Sequence, residues 1–272
     1  MDRVDSIPRP VVDWLTVVAI AAIAISLNVA FHEGVHALAC LAVGGSLKAY
    51  SALYASCDNS TVLQGKIIAG SAPTFNLIAG TLIWIFLRNS REITSETRLF
   101  LWLFMLMNWF YGAGYFILSG IVNIGDWTVV IEGWESIWLW RVVMTIAGTL
   151  LYIILVWLAF QQFGRMIGGD DNERTLRAKK ICTVSYLTSF VVVLFAGCFC
   201  PYGLLSLPVT AGLTAVLGAL SPLIWMMRWF KTNNVVKPAR EALEIHRKWQ
   251  WLGGSAIVVF TYVFILGRTL YF

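Results

Sequence analysis

Long apolar runs alternate along this chain with short clusters of charge, and few polar positions interrupt the runs. A helix crossing the hydrocarbon core of a bilayer needs about 20 mostly apolar residues. Seven stretches meet that length: residues 11–43, 65–88, 99–121, 140–164, 181–200, 203–228 and 249–268. The first exceeds it, which predicts tilt or an extension beyond the membrane. Cys200-Pro201-Tyr202 separates the fifth and sixth runs and predicts a tight reversal, because proline cannot continue a helix. The other connections are too short for a separate soluble domain, so one membrane domain over residues 1–272 is predicted.

Composition strengthens that reading. The chain is 58% hydrophobic and 13% charged, where an ordinary soluble domain is about 25% charged; its mean hydropathy is +0.74. The first run is too long for a removable signal peptide and no small-residue cleavage site follows it. A net charge of +5 does not point to nucleic acid, because the basic residues are dispersed between apolar runs.

Their distribution predicts topology instead. With simple alternation of seven spans, sixteen of the twenty lysines and arginines fall on the side of the N-terminus. Only Lys48, Lys66, Arg141 and Arg268 fall on the other. Cytoplasmic loops hold the basic excess, so the N-terminus is predicted inside and the C-terminus outside. Trp127, Trp134, Trp138 and Trp140 then group in one outer loop, while Trp225, Trp229, Trp249 and Trp251 flank the last inner one, the interfacial positions tryptophan favours. The segment TVVIEGWESIWLW is predicted to lie along the outer surface as a short amphipathic helix. On the inner side, GGDDNERTLRAKK is predicted to be solvated, and VVKPAREALEIHRKWQ to form a short basic helix against anionic headgroups.

One polar cluster breaks the first run. FHEGVHAL, Phe31 to Leu38, holds two of the chain's three histidines around a glutamate. H-E-x-x-H on a helix sets both imidazoles on one face, one turn apart, where they can share a zinc ion. The glutamate then stands beside the metal, free to take a proton from a bound water, whose pKa zinc lowers to about 7. His32 and His36 are therefore the predicted metal ligands and Glu33 the predicted general base. The competing reading is polar residues that merely join helices; an ionisable group inside a span costs at least about 2.5 kcal/mol, which favours function. Catalytic zinc usually has three protein ligands. His246 lies in the inner loop, so the third is predicted to be Asp126, at the outer end of the third span, ahead of Asp58, Glu132 and Glu135 in looser segments.

At this point the chain resembles the site-2 protease family of intramembrane zinc metalloproteases. In that family the motif helix is followed by a hairpin dipping into the membrane, a returning helix, and a later span that ends in an aspartate ligand. Here HEGVH precedes GGSLKAYSALYASCDNSTVLQGK, whose alternation around Asp58-Asn59 is similar to such a hairpin. GSAPTFNLIAG is similar to the family's glycine-proline-x-x-asparagine element, with Pro73 and Asn76 in matching positions and Ala72 in place of the glycine. NIGDW supplies Asp126, with Trp127 where the family has glycine. The resemblance covers residues 11–130 and leaves 131–272 as accessory helices.

The fold thus expected is an all-α integral membrane protein of seven transmembrane helices, with a short membrane-associated β-hairpin after the first. The resemblance implies Zn2+ as cofactor, a membrane-embedded or membrane-proximal protein or peptide as substrate, and substrate contacts from Asn76 and Pro73. Family members hold the zinc near the cytosolic face, whereas the charge count predicts an outward-facing site. The same residues would also serve a membrane zinc hydrolase of lipid amides or esters, or a non-enzymatic zinc-binding membrane protein. Among the five cysteines, Cys40 and Cys182 read as apolar fillers, and Cys57 could pair with Cys198 or Cys200 if their compartment is oxidising.

Overall fold

The computed structural model describes residues 11–90, 92–168, 171–231 and 243–272. The chain runs α1 (Trp14–Ala42), β1 (Ser46–Tyr50), β2 (Ala55–Asp58), α2 (Val62–Asn89), α3 (Ser95–Val122), α4 (Asp126–Ile131), α5 (Ile137–Ile167), α6 (Asp171–Cys198), α7 (Leu207–Ala219), α8 (Pro222–Trp225), α9 (Trp249–Phe260) and β3 (Leu270–Tyr271). Among the described residues, seven helical segments are long and apolar enough to cross a membrane, one for each predicted run.

Local signals set the helix starts. Asp13 caps α1 by accepting from the Thr16 backbone N–H at 2.9 Å, and burial pushes its carboxyl up less than the Thr16 and Arg247 contacts pull it down. Thr61 and Gln64 form a reciprocal capping box on α2. Gln64 Nε2 also donates to the Val43 carbonyl at 2.7 Å, tying the start of α2 to the end of α1. α1 is the buried centre of the bundle, which its Ala-rich stretch permits by letting neighbours approach closely. α3 packs between α2 and α5, where Trp102 stacks on Phe163 at 4.1 Å and donates to the Ala159 carbonyl at 3.0 Å.

The predicted hairpin forms and gains a third strand. β1 pairs antiparallel with β2 (Leu47 opposite Cys57, Tyr50 opposite Ala55), with an irregularity between Leu47 and Ala49. β3, at the C-terminus, pairs with the other edge of β1, giving the order β2-β1-β3. The second edge of β2 pairs with no strand among the described residues.

Several expectations are corrected. Cys57 is bonded to Cys40, across 6.0 Å between Cα atoms, and not to Cys198 or Cys200. The hairpin folds back over the last turn of α1, and Gly45 makes room: a Cβ there would lie 2.7 Å from Cys57 Sγ. Closing a loop of this size contributes about 3 kcal/mol. TVVIEGWESIWLW is not one surface helix. α4 ends at Ile131, and Gly133 (φ 74°) and Ser136 (φ 55°) turn the chain into α5.

α6 begins at Asp171, well before residue 181, and Arg174 and Arg177 are buried rather than solvated. Arg174 donates to the Gly164 carbonyl at 3.1 Å, and Arg177 to those of Ile167 and, at 2.7 Å, Gly168, so both cap the end of α5. The sixth run is broken after α7, with Pro222 opening α8. The seventh continues past α9 through a π turn (Thr261–Ile265) and a 3₁₀ turn (Leu266–Arg268). Of the predicted basic helix, residues 235–242 lie outside the described residues, and 243–248 are not helical: Ile245 instead pairs with Val12, and Arg247 with Asp13 at 3.0 Å. Asp170, one half of an acidic pair, also lies outside them.

Candidate metal centre

His32, Glu33 and His36 lie in the C-terminal half of α1, all buried. The helical offset of four sets the imidazoles edge to face, with centroids 4.9 Å apart. Asp126 reaches them from α4. Asn123 in the left-handed region (φ 60°) ends α3, and Gly125 (φ 94°), a conformation that favours glycine, turns the chain so that Asp126 opens α4. Trp127 stacks on Phe116 at 4.3 Å and holds α4 against α3. The residue that departs from the family pattern is therefore an anchor.

His32 Nε2 and His36 Nε2 lie 3.3 and 3.5 Å from Asp126 Oδ2. The three potential ligand atoms fall within 4.8 Å of one another, the only such group found among the described residues. Neither His32 Nε2 nor Asp126 Oδ2 makes a hydrogen bond, though both are buried. Burial pushes the Asp126 carboxyl up, but the two imidazoles outweigh it and hold the group well below the ordinary carboxylate range. The remaining ring nitrogens are engaged: His36 Nδ1 meets the Ile68 carbonyl at 2.8 Å and His32 Nδ1 meets Asn76 Oδ1 at 2.6 Å. Such partners fix the tautomer that leaves Nε2 as an acceptor for a metal. Two imidazoles, each with its outer nitrogen already bonded, and a carboxylate are a donor set that fits zinc.

Asn76 in turn donates to Asn108 Oδ1 at 2.9 Å, and Asn108 to the Phe104 carbonyl at 2.8 Å. Close helix contact makes this chain possible: a Cβ at Gly112 would meet Leu77 at 2.7 Å and the Pro73 carbonyl at 2.9 Å. Asn76 and Pro73 are the residues expected to contact substrate. Both are buried in the α2–α3 seam, and neither lines the cavity beside the histidines. The partner that amide serves is His32, and only the fold brings them together.

Tyr115, which the sequence reading passed over, stacks on the His32 ring with centroids 5.0 Å apart and 13° between planes. Its position eleven residues before Asp126 in an aromatic-rich span carries no signal that marks it out. The other acids stay away from the centre: Asp58 is exposed and pairs with Lys48 at 3.5 Å, and Glu132 and Glu135 are exposed. His246 binds Glu96 through its backbone and Glu244 through its ring at the opposite end of the bundle.

A cavity of about 390 Å³ opens beside His32, Glu33 and His36. Leu53, Tyr54, Ala55 and Cys57 of the hairpin segment form one wall, α3 and α4 a second, and Leu207, Pro208 and Ala211 of α7 a third. Ala55 and Cys57 of β2, the strand with an unpaired outer edge, thus border the space in front of the histidines. Tyr50 Oη donates to the Ala30 carbonyl at 2.8 Å, locking the hairpin onto α1. Comparison with protein-family models, curated proteins and solved structures finds no match to this chain.

Proposed function

We propose that the protein is an integral membrane zinc peptidase, with a core of the site-2 protease kind, that cleaves a membrane-embedded or membrane-proximal peptide segment. The observation that carries this reading is the convergence of His32, His36 and Asp126 around one point, with Glu33 beside them, inside a helix of membrane-grade hydropathy. His32, His36 and Asp126 would hold the ion, and bound zinc supplies Lewis acidity that makes water a nucleophile at neutral pH. Glu33 takes the proton of that water on its carboxylate and returns it to the departing amine. The free edge of β2 favours a peptide over a lipid: an unwound segment can add to it as a strand through main-chain hydrogen bonds.

Purified protein is expected to carry one zinc per chain and to lose it to a chelator. Membranes expressing it should accumulate new peptide termini that are missing when Glu33 is glutamine. Protein that binds no zinc, or that hydrolyses lipid amides or esters while leaving peptides intact, would refute the peptidase reading.

The proposed orientation puts the N-terminus in the cytoplasm and the metal centre toward the extracytoplasmic face. Two independent features support it. Sixteen basic residues against four favour it by the positive-inside rule, and the Cys40–Cys57 bond beside the centre belongs in an oxidising compartment. In a Cys198→Ser background, Glu135→Cys should react with an impermeant thiol reagent added to intact cells, and Lys248→Cys only after permeabilisation. The reverse pattern would invert the topology.

A further inference from the structure

A second cavity, of about 300 Å³, runs between α3 and α7 and is bounded on one side by Tyr152 of α5. It shares two walls, Tyr115 and Leu118, with the cavity in front of the histidines. One face of α7 serves both: Leu207, Pro208 and Ala211 line the metal cavity, and Thr214, Ala215 and Gly218, the next turns along, line the second. The two spaces therefore follow a single seam that leaves the metal centre and descends along α3.

The far end is shut by close contact. A Cβ at Gly114 would lie 3.2 Å from that of Ala219, and Tyr152 Oη spends its proton on the Ala219 carbonyl at 2.6 Å. The walls are mostly aliphatic and aromatic carbon, with small residues and the Thr214 hydroxyl on the α7 side. Such a groove has almost nothing to offer a peptide main chain, whose amides would go unpaired there at a cost of about 1–3 kcal/mol each. It suits an aliphatic side chain hanging from a main chain held elsewhere, as the β2 edge would hold it.

We infer that the α3–α7 groove is the specificity pocket of the proposed peptidase, receiving a large aliphatic side chain of the substrate residue next to the scissile bond. The inference rests on the peptidase reading, and it gives α7, outside the segment with a family resemblance, a part in substrate choice. Ala215 is a small residue lining the groove from α7, where a larger side chain would add bulk.

Hydroxamates that anchor on zinc test it without turnover. Two are compared by calorimetry on zinc-loaded full-length protein, one bearing a methyl and the other an isobutyl side chain next to the hydroxamate. Isobutyl is expected to bind at least about tenfold more tightly, as burial of three further carbons gives. Ala215→Leu should erase that advantage while leaving zinc content unchanged and the methyl compound still bound, and Ala215→Gly should bind a bulkier cyclohexylmethyl compound more tightly than the wild type does. Equal affinities of the methyl and isobutyl compounds, as when a structural lipid fills the groove, would overturn the inference, as would a preference indifferent to Ala215→Leu. If neither hydroxamate binds, the metal centre itself is misread and the pocket goes with it.

Discussion

Asp126→Asn is expected to strip the protein of its zinc, lowering affinity by more than about a hundredfold. Loss of an outer partner of a metal site costs about 10–100-fold, and Asp126 is the only carboxylate among the described residues with an oxygen beside both Nε2 atoms. An asparagine keeps the size but removes the negative charge, so a dication would sit in a buried site with two neutral ligands, which is costly. The fold around α4 should survive, because Trp127 still stacks on Phe116 and Lys66 still donates to the Glu132 carbonyl at 2.6 Å. Metal analysis and the zinc-dependent rise in melting temperature are the readouts. The wild type is expected to gain stability from added zinc as mass action requires, and the variant should show no such rise. Asn76→Ala belongs to the same series with a smaller loss, about 10–100-fold, since it frees His32 Nδ1 without removing a ligand. Full zinc retention in Asp126→Asn would mean that the third ligand lies elsewhere.

That series also separates what the chain spells out locally from what only the fold supplies. Hydropathy located all seven helices long and apolar enough to cross a membrane, because a run apolar on every side is marked by its length alone. It misplaced the ends wherever charge was recruited as structure. Arg174 and Arg177 read as solvent-facing, yet they extend α6 inward by capping the carbonyls at the end of α5. The break between α7 and α8 was written in Pro222, but the apolar run hides it.

His32, Glu33 and His36 were legible because their spacing is local, and Asp126 because a span end was the one rigid acidic position at the right level. Three features depend on distances that no spacing encodes. Cys57 chose Cys40, one helix turn beyond the motif, because the hairpin folds back on its own helix. Asn76 reached His32 through the α2–α3 seam. The C-terminal strand β3 has two residues, too few to show any period, and closes the β1 edge only because the last helix ends beside the hairpin. With that edge occupied, the outer edge of β2 stays unpaired among the described residues, and Ala55 and Cys57 of β2 line the cavity beside the candidate metal centre.

Glu33→Gln should separate metal binding from chemistry at that centre. The side chain is 7% exposed and lines the cavity, while the histidines on either side of it in sequence point their Nε2 atoms toward Asp126. Glutamine has nearly the same volume and stays uncharged beside the same neighbours, so α1, the hairpin and the zinc content should be unchanged. It cannot hold a proton at neutral pH. Removing a positioned general base typically costs about 10²–10⁴-fold in rate, and the loss should appear in kcat with substrate affinity preserved. On the proposed reading the centre lies within a membrane span with little bulk water to substitute as base, which places the expected loss toward the upper end of that range. The same variant should therefore hold its substrate uncleaved, and mass spectrometry of what co-purifies would reveal whether a peptide or a lipid occupies the cavity. A Glu33→Gln protein that keeps zinc and turns over at the wild-type rate would leave His32, His36 and Asp126 as a binding site and remove the reason to call it catalytic.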